Sequence, residues 1–518
     1  MPVPNQGLKP ALKLLPLALA AMLLSAECHA QWRVVPRVEL RETYSDNLGL
    51  RSDDDPTAHG GFITEVSPML IISGTGPRLK LNAEAGVRTY AYSDRDTPSL
   101  RNSERRYNAT AQAVLVEQLF FVDAGASGAR QAISAFGPVS SNNYTSTNST
   151  NISTWRISPY LQHHFGSRAD LTARYTRDSV SSGVNGYGDS MASTRSVDLS
   201  SGRAYTTVGG NLSYYHQDLT DGLAGESSAE NVTAGLRWSV IRRLSLTANV
   251  GYDKYEYPVL NERTQGRSWL AGFIWTPSSR TRVQASFGRR YFGKTGLLDA
   301  NYRTQRTVWS LNYNDAVTTS RQQFLLPAAV DTAAMLDSLF ASAYPDAAQR
   351  QQAVQAYMAA AGLPATLRDS INYLSNRYIR VRRLQGTALL RGQRSNLAFT
   401  LFRDQRNALS TQESDSALLL GQVISLNDDT KQRGASVNYD YRLSTRSNAY
   451  ASMSTSRVES LTTRYTNNLN ETRLGVNHRF DLRSQGSVEL RHSRGRADLY
   501  NAGTYSENAL SANLSVAF

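Results

Sequence analysis

The chain has 518 residues, 40% of them apolar and 19% charged, with a formal charge of +13. After Leu24 no apolar run approaches the roughly 20 residues that a helix needs to cross a bilayer, so any membrane-spanning structure has to be a closed sheet. The 27 tyrosines and 14 phenylalanines, set in short regular runs, exclude a solvated coil.

The first 30 residues read as an export signal. Lys9 and Lys13 precede the apolar stretch 14–24, and Cys28 and Ala30 stand three and one residues before a cut ahead of Gln31. Glu27 directly before Cys28 disfavours a lipoprotein, whose lipidated cysteine needs a small neighbour. Cys28 is the only cysteine, so cleavage leaves a chain without disulfides or thiolate metal sites. The remaining basic charge is almost all arginine, the only other lysines being Lys80, Lys254, Lys294 and Lys431. Arginine's planar fork suits acidic glycans and lipopolysaccharide phosphates, and an exported chain is a poor partner for nucleic acid.

From Gln31 onward the dominant pattern has period two. In one run Leu244, Leu246, Ala248, Val250 and Tyr252 share a face, while Ser245, Thr247, Asn249 and Gly251 share the other. The same alternation marks Trp269, Ala271, Phe273 and Trp275, and again Val437, Tyr439, Tyr441 and Leu443. A soluble sandwich alternates too, so the ends of the runs decide. Aromatics such as Tyr252, Tyr255, Trp275, Tyr291 and Phe292 gather there, where amphipathic rings sit at membrane interfaces.

Connections alternate in length: 166–168, 240–243, 277–280, 444–447 and 483–486 are short, while 179–190, 217–230 and 407–431 are long and polar. Twenty-two strands are expected (range 18–22), among them 192–200, 281–292, 304–313, 319–327 and 377–390. The expected fold is therefore all-β, a transmembrane antiparallel up-and-down β-barrel over residues 31–518.

One segment breaks the pattern. Across 327–368 the chain turns Ala-rich, and Leu336, Leu339, Phe340 and Ala343, then Val354, Tyr357, Met358 and Ala361, recur at helical spacing. A helical hairpin is expected here, inserted on the side of the long loops, capping the mouth, entering the lumen or playing no gating part. At the C-terminus Leu510, Ala512, Leu514, Val516 and Phe518 share one face. This resembles the terminal strand of bacterial outer-membrane barrels, and implies that Leu510, Leu514, Val516 and Phe518 form the signal read by the barrel assembly machinery.

Two stretches carry a more specific likeness. They are Val38-Glu39-Leu40-Arg41-Glu42-Thr43-Tyr44-Ser45-Asp46-Asn47-Leu48, and Trp275-Thr276-Pro277-Ser278-Ser279-Arg280-Thr281 continuing to Ser286-Phe287-Gly288-Arg289-Arg290-Tyr291-Phe292-Gly293. They resemble the outer-membrane β-barrel proteins associated with the PEP-CTERM/exosortase system, encoded among exopolysaccharide biosynthesis genes. The resemblance implies an outer-membrane location and a part in exopolysaccharide assembly or export, and it supplies no catalytic or ligand residues.

Arg290, Arg306, Arg380 and Arg382 are the candidate lumen-lining residues. For Arg290, which shares a face with Gln284 and Ser286, two roles stand side by side: lining a path for anionic sugar, or pairing with a lumenal carboxylate. Asp53-Asp54-Asp55 lacks EF-hand spacing and reads as a solvated loop rather than a cation site. No metal or cofactor is expected. The mature histidines, His59, His163, His164, His216, His478 and His492, form no triad or zinc motif, and neither a Gly-x-Ser-x-Gly elbow nor a phosphate-cradling loop occurs, so no enzyme is expected. A TonB-type transporter would need a large N-terminal plug, whereas strands here begin almost at Gln31.

The expected function is a pore or scaffold for exopolysaccharide export in the outer membrane. A general porin, or a non-conducting interaction barrel, is the alternative. Expected partners are outer-membrane lipid and lipopolysaccharide, the assembly machinery, and anionic exopolysaccharide.

Overall fold

Alternating sequence makes strands here, and the strands close on themselves. The computed structural model describes residues 31–93, 100–138, 144, 148–182, 189–222, 225–256, 264–325, 378–409, 429–499 and 503–518. The strands are β1 (Gln31–Ser45), β2 (Gly61–Thr75), β3 (Leu79–Tyr92), β4 (Ser103–Val116), β5 (Phe120–Ala132), β6 (Ser149–Phe165), β7 (Ala169–Ser182) and β8 (Ser190–Ser201). Then come β9 (Val208–Asp221), β10 (Gly225–Ile241), β11 (Leu244–Glu256), β12 (Gln265–Ser278), β13 (Thr281–Arg290), β14 (Gly293–Arg303) and β15 (Thr307–Thr319). A one-and-a-half-turn helix, α1 (Ser320–Leu325), follows. The last seven strands are β16 (Tyr378–Arg391), β17 (Ser395–Ala408), β18 (Thr430–Arg442), β19 (Ser447–Ser460), β20 (Thr466–Arg479), β21 (Ser484–Ala497) and β22 (Gly503–Ala517).

Each strand pairs antiparallel with the next, and β22 returns to β1 from Arg37↔Ala517 to Ser45↔Ala509. The result is a 22-stranded closed barrel with no free edge. Closure satisfies the backbone groups that an open sheet would leave exposed.

The pleat sends apolar side chains outward. Val250, Phe287 and Met453 are 61%, 68% and 60% exposed. Rings mark both ends of this outer belt: Phe165, Trp238, Trp275, Tyr302, Trp309, Phe480 and Phe518 near one rim, and Tyr44, Phe62, Tyr252 and Trp269 near the other. Leu510, Leu514 and Phe518 lie on this outer face of the closing strand. Among the described residues, small clusters of buried apolar side chains gather at the long-loop end of the barrel.

Connections at one rim are tight, as at 76–78, 166–168, 242–243 and 480–483, and this rim also holds the ends of β1 and β22. At the other rim lie the longer segments 46–60, 133–148, 320–377 and 409–429.

The strand number agrees with the sequence reading through two compensating differences. A strand absent from that reading, β14, follows a two-residue turn at Tyr291-Phe292, and Gly293 at φ 113° makes the turn possible. The expected strand at 319–327 is instead the end of β15 and α1. The expected long loop at 217–230 is also mostly ladder, since β9 and β10 pair up to Asp221↔Gly225. Polar residues there read as loop, yet beyond the apolar belt a strand needs no apolar face. The helical hairpin expected at 327–368 and the export signal at 1–30 lie outside the described residues.

Candidate lumen and its constriction

The inner face of the wall is polar and held by ion pairs between strands. Arg290 on β13 donates from Nε and Nη2 to the two carboxylate oxygens of Asp253 on β11, at 3.0 and 2.7 Å, and Asp253 is fully buried. Arg383 on β16 grips Asp404 on β17 in the same two-pronged way, both bonds 3.0 Å. Arg174 meets Asp123 at 2.9 Å and stacks 3.9 Å over the Tyr160 ring. Next to the closing seam, Glu507 accepts from Arg491 at 2.7 Å and from Ser45 at 2.8 Å, while Glu471 accepts from Arg473 at 2.9 Å and Ser493 at 3.2 Å. Guanidinium forks match carboxylates in geometry, which is why arginine rather than lysine does this work in a partly dry wall.

The four candidate arginines divide. Arg290 faces the lumen, where its charge is matched by Asp253. Arg306 lies in the tight turn 304–306 between β14 and β15, so it is on the short-turn rim and not along the channel wall. Arg380 and Arg382 share the strand parity of the outward Leu384. Arg380 bonds Asp315 at 2.8 and 2.7 Å and the carbonyls of Phe292 and Lys294 at 3.2 and 2.6 Å. It bridges a gap above the short β13–β14 hairpin, where β14 and β15 pair only from Leu297↔Asn314 downward. The reason for the difference is parity: a one-residue change in position turns a side chain from lumen to exterior, and the sequence around 380 alternates weakly.

Two segments at the long-loop rim turn into the barrel. The first leaves β5. Its Ala135 and Phe136 are fully buried against Val458, with Tyr465 and Leu499 packed beside them. Asn467 Nδ2 donates to the carbonyls of Ala135 and Gly137 at 2.7 and 3.0 Å. The same segment brings Tyr144 against Leu48, Ile63 and Tyr90, with its hydroxyl donating to Glu65 at 3.2 Å. Burial raises the Tyr144 hydroxyl above its ordinary range, with the Glu65 carboxylate pushing the same way. Strands β1–β3 and β19–β21, on both sides of the closing seam, are thus tied together by one loop.

The second segment is α1. Arg321, 7% exposed, pairs with Asp178 on β7 and donates from Nε to Ser190 Oγ on β8 at 2.8 Å. Leu325 packs on Ile152 and Val180, beside Ile133 of the first segment. Burial pulls the Arg321 guanidinium below its ordinary range, and Asp178 opposes that pull. The chain leaving β15 therefore crosses toward β6–β8. Where it returns, Tyr378 at the head of β16 meets the Tyr255 ring at 5.9 Å and Ser227 at 3.4 Å.

These inward contacts were not visible in the sequence, apart from one hint, the apolar Ala135-Phe136 inside an otherwise polar loop. Of the aspartates 53–55, Asp53 accepts the Ser506 N–H of β22 at 2.8 Å, and Asp55 accepts the Thr57 N–H at 2.9 Å.

No family model and no curated protein sequence matches the chain. Among solved structures, the FrpB iron transporter from Neisseria meningitidis, F5-1 variant in its apoprotein form, superposes with a TM-score of 0.50 at 11% identity, over 93% of this chain and 81% of its own. The siderophore receptor PirA from Pseudomonas aeruginosa gives 0.46 at 9% identity, over 94% of this chain and 80% of its own. OccAB4 from Acinetobacter baumannii gives 0.33 at 9% identity, over 94% of this chain and 98% of its own. At such identities the likeness to FrpB establishes a shared barrel fold.

Proposed function

We propose that the chain is an outer-membrane barrel that acts as a pore or scaffold for exopolysaccharide assembly or export, by conduction or binding rather than catalysis. The observation that carries the membrane reading is the outer belt: large apolar side chains cover the wall of a closed barrel, with aromatic rings at both ends, and only hydrocarbon makes that arrangement favourable. With the tight turns and the ends of β1 and β22 in the periplasm, the long-loop rim and its two inward segments face outside. The polar lumen suits a hydrated solute. The two sequence stretches that resemble exopolysaccharide-locus barrels, together with the arginine-rich balance, support the polymer.

A general channel for small solutes is the second reading. It is favoured by the pairing of lumenal arginines with carboxylates, as in Arg290–Asp253 and Arg383–Asp404, which leaves those parts of the wall near neutral.

Planar-bilayer recording of the purified barrel is expected to give steady ionic current, and a barrel without current would remove both channel readings. Deleting the gene is expected to lower secreted polysaccharide. Unchanged secretion alongside a conducting barrel would leave the general channel and end the export role.

A further inference from the structure

Several arginines of the wall, among them Arg290, Arg380 and Arg383, are paired with carboxylates, whereas one outward row sets three arginines against one another. Arg403 on β17 is registered with Arg433 on β18, and Arg433 with Arg457 on β19. All three share parity with exposed apolar residues of their own strands, Leu401, Val437 and Met453, and are themselves exposed. Like charges directly opposite each other on adjacent strands repel. Among the described residues Glu459 is the carboxylate in contact with the row, 2.7 Å from Arg457 and 3.8 Å from Arg433. Arg403 has no ionic partner among the described residues.

One step closer to the long-loop rim, Arg382, Gln405, Lys431 and Glu459 form the next registered row, adding two further cations. The other carboxylates close by are already engaged. Asp315, registered with Arg382, is held by Arg380, and Asp429 accepts from Asn407 at 3.0 Å and from the Ala408 N–H at 3.2 Å. The Arg382 Nε is buried without a hydrogen-bond partner.

Below the row, toward the short turns, the same columns continue as Phe399 and Leu401, Val437 and Tyr439, and Met453. An anion that settles here must therefore carry a hydrocarbon portion. Adjacent strands stand about 4.8 Å apart, so three arginines span about 10 Å, wider than one phosphate group. A second copy of this chain would bring the same sign of charge and is disfavoured.

We infer that the Arg403–Arg433–Arg457 row, with Arg382 and Lys431 above it, binds the phosphates of a lipid A-type bisphosphorylated glycolipid whose acyl chains lie down the apolar columns. The site rests on the outer-membrane reading, because that orientation places the row at the outer leaflet. Arginine forks hold phosphate oxygens in pairs, and the bound anion removes the repulsion that the row otherwise carries.

The test uses the full mature barrel folded in detergent, with native mass spectrometry counting bound lipid. Bisphosphorylated lipid A is expected to bind the native barrel and to bind the triple variant Arg403→Ser/Arg433→Ser/Arg457→Ser at least tenfold more weakly. Arg105→Ser, which removes an isolated outward arginine on β4, is expected to change nothing. Glu459→Gln is expected to retain or strengthen binding. In lipid-free detergent the triple variant should unfold no earlier than the native barrel on heating, and only the native barrel should gain thermal resistance from lipid A.

Heat-modifiable migration on gels confirms that each variant is folded. Folded variants with native lipid A binding would overturn the site while leaving the membrane barrel intact, as would equal binding of phosphatidylglycerol or competition by inorganic phosphate. A mature chain that stays soluble without detergent would overturn the membrane reading and the site together.

Discussion

A single buried carboxylate shows how this wall is held. Asp253 is fully buried, and its two oxygens are met by the Arg290 fork and by Asn231. Removing one partner of such a pair leaves an uncompensated charge, which costs about 3 kcal/mol or more, whereas removing both costs far less. Arg290→Ala is therefore expected to lower barrel stability by about 3 kcal/mol, and Arg290→Met/Asp253→Asn to recover most of the loss. Urea unfolding followed by tryptophan fluorescence checks this, and a double variant no better than the single one would place the value of Arg290 elsewhere. The residue scale was partly legible beforehand. Gln284, Ser286 and Arg290 alternate cleanly with Ala285 and Phe287, so the inward direction of Arg290 followed from the pleat, while its partner on β11 did not.

At the level of elements, the β13–β14 hairpin separates what alternation reveals from what it hides. β14 pairs Leu297 with Ser286 and Thr295 with Gly288, and its own polar and apolar residues mix on the two faces. No period-two signal survives in such a strand, and only the ladder defines it. Its turn depends on Gly293 at φ 113°, a conformation that side chains other than glycine rarely adopt. A Cβ at that position would meet no atom within 4 Å, so the cost of Gly293→Ala is in the backbone alone, about 1–3 kcal/mol. Gly166→Ala, at φ 61° in another tight turn, is expected to cost less, about 1 kcal/mol. Comparing the temperatures at which the two variants lose heat-modifiable migration tests the contrast, and equal losses would contradict a backbone origin. The short helix α1 was not legible: alternation assigned its residues to a strand at 319–327, and the helical spacing begins only at 327, beyond the described residues.

For the whole molecule the decisive feature is that the interior is occupied from one end. The segment after β5 reaches Val458 and Asn467, and α1 reaches Asp178 and Ser190, so both cross toward strands far from their own in the chain. If the barrel conducts as proposed, loosening one of these anchors widens the path. Arg321→Ala is expected to raise single-channel conductance in planar bilayers by a measurable fraction, up to about twofold, because a buried guanidinium that ties α1 to the wall is lost. Unchanged conductance would show that α1 lies outside the narrowest part.

The sequence by itself determined the class of this protein. Alternating faces, aromatic strand ends and a C-terminal apolar stripe are local properties, and each reports which environment a side chain meets. It also determined that the barrel has no disulfide to rely on after the first 30 residues. The tertiary structure alone decided which strand pairs with which ion partner, where the closing seam falls, and which loops enter the lumen. Those outcomes depend on contacts between residues hundreds of positions apart, such as Ser45 with Glu507 and Asn467 with Ala135. Register converts a one-residue difference into a change of face, so the direction of Arg380 and the outward stacking of Arg403, Arg433 and Arg457 emerge only once the ring of strands is closed.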